Sequence, residues 1–162
     1  MDPTPFLKWA HDSWLGELPR QLGWLYTAGL IVHFIGLCIL IGAMLLVDLR
    51  LLGLVRQIKL SSALAFLPWA IFGFALNLST GLMFFAFDPF VLWVNPAFKV
   101  KMALVLLAGC NVAWFTLVEQ PKLVRSIQSG GEVDLPIRIS AGLSLGLWLA
   151  VIVAGRMIVA YR

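Results

Sequence analysis

The sequence predicts an all-α integral membrane protein: a four-helix bundle with a short N-terminal amphipathic helix lying on the membrane surface. Three observations predict it. Apolar residues make up 61% of the chain and charged residues 12%, where soluble domains have roughly half and a quarter. The apolar residues gather into four long runs, at approximately 22–47, 62–87, 97–118 and 138–161, separated by short polar segments. The 162 residues accommodate four spans and no separate soluble domain, so 1–162 reads as one membrane domain.

The N-terminal segment, residues 1–20, is amphipathic. Phe6, Leu7, Trp9, Ala10 and Trp14 are interleaved with Lys8, His11, Asp12 and Glu17, and tryptophan favours the headgroup region. Thr4 is the expected N-cap, with Pro5 at the first helical position. The segment lacks a basic start followed by an apolar run, so it does not read as a signal peptide.

The first span, LGWLYTAGLIVHFIGLCILIGAMLLV, covers 22–47. At ~1.5 Å per residue it extends roughly 39 Å, more than the ~30 Å hydrocarbon core of a bilayer. A short basic loop with Arg56 and Lys59 follows. The second span contains Pro68, which predicts a bend near its start, and carries Asn77 and Thr80-Gly81. Asp88-Pro89 opens a loop that runs to Asn95-Pro96. The third span opens with Lys99 and Lys101, carries Asn111 and is expected to stop at Glu119-Gln120-Pro121. The longest loop, 119–137, holds Gly130-Gly131. The fourth span closes the chain and holds Arg156. Its Gly142, Gly146, Ala150 and Ala154 recur every four residues. Such a small-residue ridge lets another helix approach, within the bundle, in a second copy or in a larger membrane complex.

Four spans put both termini on one side. Arg50, Arg56, Lys59, Lys122, Arg125 and Arg138 face Lys8, Arg20 and Arg162 across the membrane. The positive-inside rule then puts both termini outside the cytoplasm. Adding Lys99, Lys101 and Arg156 evens the two sides. The basic residues are scattered among helix ends and form no patch for nucleic acid. Cys38 and Cys110 lie inside apolar spans, where free cysteine behaves as a small hydrophobe.

The candidate site centres on His33. An ionisable side chain at mid-membrane is costly and commonly functional. Gly29 and Gly36 flank it one turn away on the same face. They leave a notch that suits either the edge of a flat ligand such as a porphyrin, with imidazole as axial ligand, or a close helix crossing. His33 lies ~16 Å along its helix, a depth similar to that of Asn77 and slightly less than that of Asn111. One polar layer is expected, with Asn77 orienting His33, or simple interhelical hydrogen bonding. Lys99, Lys101 and Arg156, with Asp88 the nearest acid, form a cationic cluster toward the outer face, fit for carboxylates, haem propionates or phosphates. Snorkelling and an Arg156–Asp88 pair are the plain alternative. Asp48, Arg50, Glu119 and Arg138 are expected to form interface pairs at helix ends. Met44, Met83, Met102 and Met157 are possible soft metal ligands or packing. The chain has no HExxH, CxxC, phosphate loop or serine-nucleophile elbow. A bis-histidine haem would need His11, which is expected at the surface.

Several of these residues carry a family resemblance. His33 is followed nine residues later by Gly42; Thr80-Gly81 falls in the next helix; Lys101 opens an aliphatic run that ends in Asn111. In this pattern, over about residues 30–115, the chain resembles bacterial membrane proteins related to the copper resistance protein CopD and to HemJ, the membrane protoporphyrinogen oxidase. Leu40 stands where CopD-like helices commonly carry tryptophan. Gly73-Phe74-Ala75-Leu76, Thr80-Gly81, Asn95-Pro96-Ala97-Phe98 and the C-terminal span are similar to a small bacterial membrane family without an assigned activity. The HemJ resemblance implies haem b, with His33 and Lys101 in the key positions.

Three functions follow as expectations. The first is a haem b-binding membrane protein acting in electron transfer or in oxidation of a small hydrophobic substrate. His33 would be the axial ligand, Asn77 its partner, and Lys99, Lys101 and Arg156 the cations. The second is copper handling by His33, Cys38 and the methionines. The third is a structural subunit of a larger membrane complex.

Overall fold

The computed structural model describes residues 3–128 and 133–161. Gly130-Gly131 and the Arg162 counted among the terminal charges lie outside the described residues. The described chain is helical throughout its elements: α1 (Thr4–Asp12), α2 (Trp14–Gln21), α3 (Gly23–Leu51), α4 (Leu60–Leu64), α5 (Leu67–Phe87), α6 (Pro89–Val94), α7 (Pro96–Trp114), a π-helical turn (Phe115–Glu119), α8 (Gln120–Gln128) and α9 (Leu135–Ala160). Among the described residues, four helical segments are long and apolar enough to cross a membrane. In their most apolar windows only 17% to 28% of residues are buried within the chain. The remaining apolar surface needs a hydrocarbon solvent, as an all-α membrane bundle requires.

The bundle is two antiparallel pairs. α3 packs along α5, α7 packs along α9, and α3 against α9 joins the pairs. The shared core lies toward the end that carries α8, where Leu40, Met44, Val47, Ala108, Trp148 and Val151 are buried together. The interfacial helices α1 and α2 pack on α5 at the opposite end.

Local sequence explains most boundaries. α3 stops where Gly53 adopts φ 82°, and the Gly53 and Leu54 amides bond back to the carbonyls of Arg50 and Leu49. That pattern ends a helix with a left-handed residue, where glycine has no Cβ penalty. The bend expected at Pro68 is a full break into α4 and α5, with Pro68 in the first turn of α5, where its missing N–H costs nothing. α7 begins at an Asn95 cap whose Oδ1 accepts from the Phe98 amide at 3.2 Å.

Two expected boundaries differ. The N-terminal segment is two helices, because Ser13 is extended (φ −68°, ψ 155°) and its Oγ donates to the Ala10 carbonyl at 2.6 Å. Residues Glu119-Gln120-Pro121 do not stop the third span. The wider π-helical turn just before Pro121 carries the helix on into α8. Proline clashes with the carbonyl four residues back in a regular helix, and a π-turn relieves that geometry.

The small-residue ridge of α9 is only partly used. Ala154 is buried, whereas Gly142 and Gly146 are exposed, and nothing approaches Gly146.

Candidate functional site

His33 sits on α3 where that helix crosses α5. Its Nδ1 lies 2.7 Å from Thr80 Oγ1. The same hydroxyl lies 2.7 Å from the Leu76 carbonyl oxygen and 3.2 Å from that of Asn77. A hydroxyl has one proton, and a carbonyl has none to offer. Thr80 therefore donates to Leu76, and His33 Nδ1–H donates to Thr80. A neutral imidazole that donates from Nδ1 carries its lone pair on Nε2, the arrangement a metal ligand requires. Phe84 tilts against the ring, with centroids 5.5 Å apart, and Tyr26 continues the aromatic wall onto Phe84 at 5.2 Å and Phe87 at 4.8 Å.

The partner of His33 is thus Thr80, not Asn77. The α3–α5 contacts keep one register: Tyr26 faces Phe87, Gly29 faces Phe84, His33 faces Thr80, Gly36 faces Asn77 and Leu40 faces Gly73. Matching residues by depth alone misplaces this register by about one turn. Asn77 instead donates to the Gly73 carbonyl at 3.0 Å, inside the crossing. Asn111 belongs to the other helix pair, donating to the Ser140 carbonyl at 3.1 Å. The expected single polar layer is therefore split in two.

The two glycines decide between the alternatives left open at the notch. A Cβ on Gly36 would meet Asn77 Nδ2 at 2.7 Å and the Gly73 oxygen at 3.0 Å. Gly29 is covered by the end of Met83. α5 fills the notch, so Gly29 and Gly36 serve a close helix crossing and offer no edge to a flat ligand.

Of the cationic cluster, Lys101 is half-buried, and Lys99 and Arg156 are exposed. The Lys101 chain lies over Gly155 of α9, where a Cβ would stand 3.6 Å from Nζ. Lys101 is therefore the most withdrawn member of the cluster. Cys38 and Cys110 are exposed on the outer faces of their helices, while Met83 packs one turn from His33. Among the described residues no three His, Cys, Asp or Glu side chains gather as a metal site.

A family model matches residues 6–161, from α1 to the end of α9. The chain belongs to DUF6644, a family of unknown function. No curated protein and no solved structure matches it.

In this DUF6644 chain the Asn95-Pro96 motif ties the two ends of a helix pair. Asn95 is 2% exposed, caps α7 and donates from Nδ2 to the Ile158 carbonyl of α9 at 3.0 Å. Gly42 and Gly81, by contrast, have nothing within 4 Å of a Cβ position.

Arg20 was not singled out by sequence. It donates to the carbonyls of His11, Ala86 (3.3 Å) and Phe87 (3.1 Å), clamping α1 and α2 onto the end of α5.

The acids at the opposite end, expected at an interface, are buried. Asp48 and Glu119 are 3% and 8% exposed, so both are withdrawn from water. Glu119 Oε1 accepts from Trp114 Nε1 at 3.1 Å, and Arg50 donates from Nε to the Ile58 carbonyl.

Proposed function

We propose that this chain is a haem b-binding protein of a bacterial cytoplasmic membrane, with both termini on the non-cytoplasmic side. In this reading His33 Nε2 would hold the haem iron. The protein carries electrons or, as the HemJ resemblance implies, oxidises a small hydrophobic substrate near the α1/α2 end. The observation that carries the reading is the Thr80 hydroxyl, committed to the Leu76 carbonyl and so obliging His33 to hold its proton on Nδ1.

One donor nitrogen supports the reading. A neutral imidazole with an oriented tautomer offers the nitrogen that haem iron takes. The half-buried Lys101 would supply a positive charge, suited to a propionate or to holding a proton. Lys99 and Arg156 would meet a second carboxylate or lipid headgroups at the membrane surface. Haem, when bound, supplies one-electron redox chemistry at its iron. Thr80 would keep the ligand nitrogen free, and Phe84 and Tyr26 would keep water from the imidazole on the α5 side. Gly29 and Gly36 take no part, since α5 covers them. Gly142 and Gly146, open on α9, would seat a second copy or a subunit of a larger complex.

The test is an absorption spectrum of the detergent-purified protein, oxidised and then dithionite-reduced, beside a metal analysis. A Soret band with sharp reduced bands, lost in His33→Ala, is expected. A colourless, iron-free preparation after haem supplementation would overturn the reading. Copper in that preparation would favour a second reading, copper handling, for which Met83, packed over Gly29 one turn from His33, is the specific support.

A further inference from the structure

A second polar group lies at the α8 end of the bundle, about four turns along α3 from His33. Asp48 of α3 is 3% exposed and Ser144 of α9 is 1% exposed. Asp48 Oδ2 and Ser144 Oγ have no hydrogen-bond partner, although the Ser144 hydroxyl lies beside the Asp48 carboxyl. With Ser140 and Asn111 they line one cavity of about 10 Å³, room for a single water molecule or a bare ion of that size. Ser140 Oγ donates to Asn111 Oδ1 at 3.2 Å, and Asn111 Nδ2 donates to the Ser140 carbonyl. Those bonds fix both side chains and leave lone pairs on both oxygens.

We propose that Asp48, Ser144, Ser140 and Asn111 form a binding site for one monovalent cation, a proton or a sodium ion. A carboxylate oxygen buried without a partner is costly, and one positive charge placed against it removes the cost. The donors are all oxygen, which suits a hard cation and not a copper or zinc ion. One carboxylate matches one charge, and a cavity the size of a single water has no room for a divalent ion that keeps its hydration shell.

The other charges at this end are disposed around the site. Arg50 is bonded to the Ile58 carbonyl and Glu119 to Trp114. Arg138 stands in the first turn of α9, before Ser144. Lys122 and Arg125 on α8, and Arg56 and Lys59 before α4, are exposed. α4 and α5 carry no charged side chain. The site is independent of any cofactor at His33.

The test uses the full-length protein in detergent. Thermal unfolding is followed in sodium chloride and in choline chloride at matched ionic strength, across pH. Infrared spectra in H2O and D2O look for a protonated carboxyl. If sodium is the ligand, sodium alone raises the unfolding temperature, most at alkaline pH where protons no longer compete. That rise disappears in Asp48→Asn, and Ser144→Ala weakens apparent sodium affinity about tenfold. If the proton is the ligand, sodium has no effect. A carboxylic acid band then persists at neutral pH, is lost in Asp48→Asn and shifts in Ser144→Ala. Should Asp48→Asn not fold, Ser144→Ala decides alone. The absence of both a sodium effect and an acid band in the unsubstituted protein would overturn the proposal, and so would an effect or band that Ser144→Ala leaves unchanged.

Discussion

Thr80 Oγ1 stands 2.7 Å from His33 Nδ1 and 2.7 Å from the Leu76 carbonyl. One hydroxyl therefore satisfies a backbone acceptor of α5 and fixes the tautomer of the imidazole on α3. Thr80→Val keeps the shape and removes both bonds. It strands the His33 N–H, at a cost of about 1–3 kcal/mol, and should lower haem content in the purified protein. Thr80→Ser restores the hydroxyl and should restore both. Melting curves with and without added haem read the two effects separately. Equal pigment in the valine and serine variants would remove Thr80 from the ligand's support.

The α3–α5 crossing makes an ordered prediction across the glycines. A Cβ on Gly73 would meet the Leu40 nitrogen at 2.6 Å and the Gly36 oxygen at 2.7 Å, both backbone atoms that have nowhere to go. Gly73→Ala and Gly36→Ala should each destabilise by about 1–3 kcal/mol. Gly29→Ala should cost less, because the atoms it meets are the mobile end of Met83. Gly42→Ala and Gly81→Ala, with open space at the new Cβ, should instead stabilise by about 0.5–1 kcal/mol. Unfolding titrations in mixed micelles rank them, and an inverted order would refute the register.

Arg20 and Glu17 control the interfacial helices. Glu17 accepts from Gln21 at 2.9 Å and from Arg20 at 3.2 Å. These bonds, Gln21 first, hold its carboxyl below the ordinary 4.5. A lowered acid contributes stability that is present above the ordinary value and lost as pH falls through the lowered one. The α2 contacts should therefore loosen only below pH 4.5, with a modest effect because Glu17 faces water. Arg20→Ala, by freeing three backbone carbonyls, should raise hydrogen exchange across residues 4–21 at every pH. Protection that survives the substitution would show that packing alone holds α1 and α2.

Asn95 should divide its two roles between two variants. Asn95→Ala loses the cap and the tie to Ile158, costing about 1–2 kcal/mol. Asn95→Asp keeps the acceptor that caps Phe98 and loses the donor to Ile158, so it should fall between the alanine variant and the parent. Thermal melts in detergent supply the comparison. An aspartate variant as unstable as alanine would place all the energy in the α7–α9 tie.

By itself the sequence determined what depends on local composition and period. The four spans, a bend at Pro68, the amphipathic N-terminal segment and the isolation of His33 in an apolar run all follow from hydrophobicity, proline geometry and the cost of a buried ionisable group. Tertiary structure decided whatever depends on the registry of one helix against another. A shift of one turn between α3 and α5 gave His33 to Thr80 and Asn77 to the crossing, and filled the Gly29–Gly36 notch with α5. Packing of α9 on α3 brought Ser144 to Asp48 and withdrew that acid from the membrane surface. Apolar helices carry few directional signals along their length, so their relative sliding is set by the interdigitation of small and large side chains. That complementarity is a property of two faces together, and no single run of residues contains it.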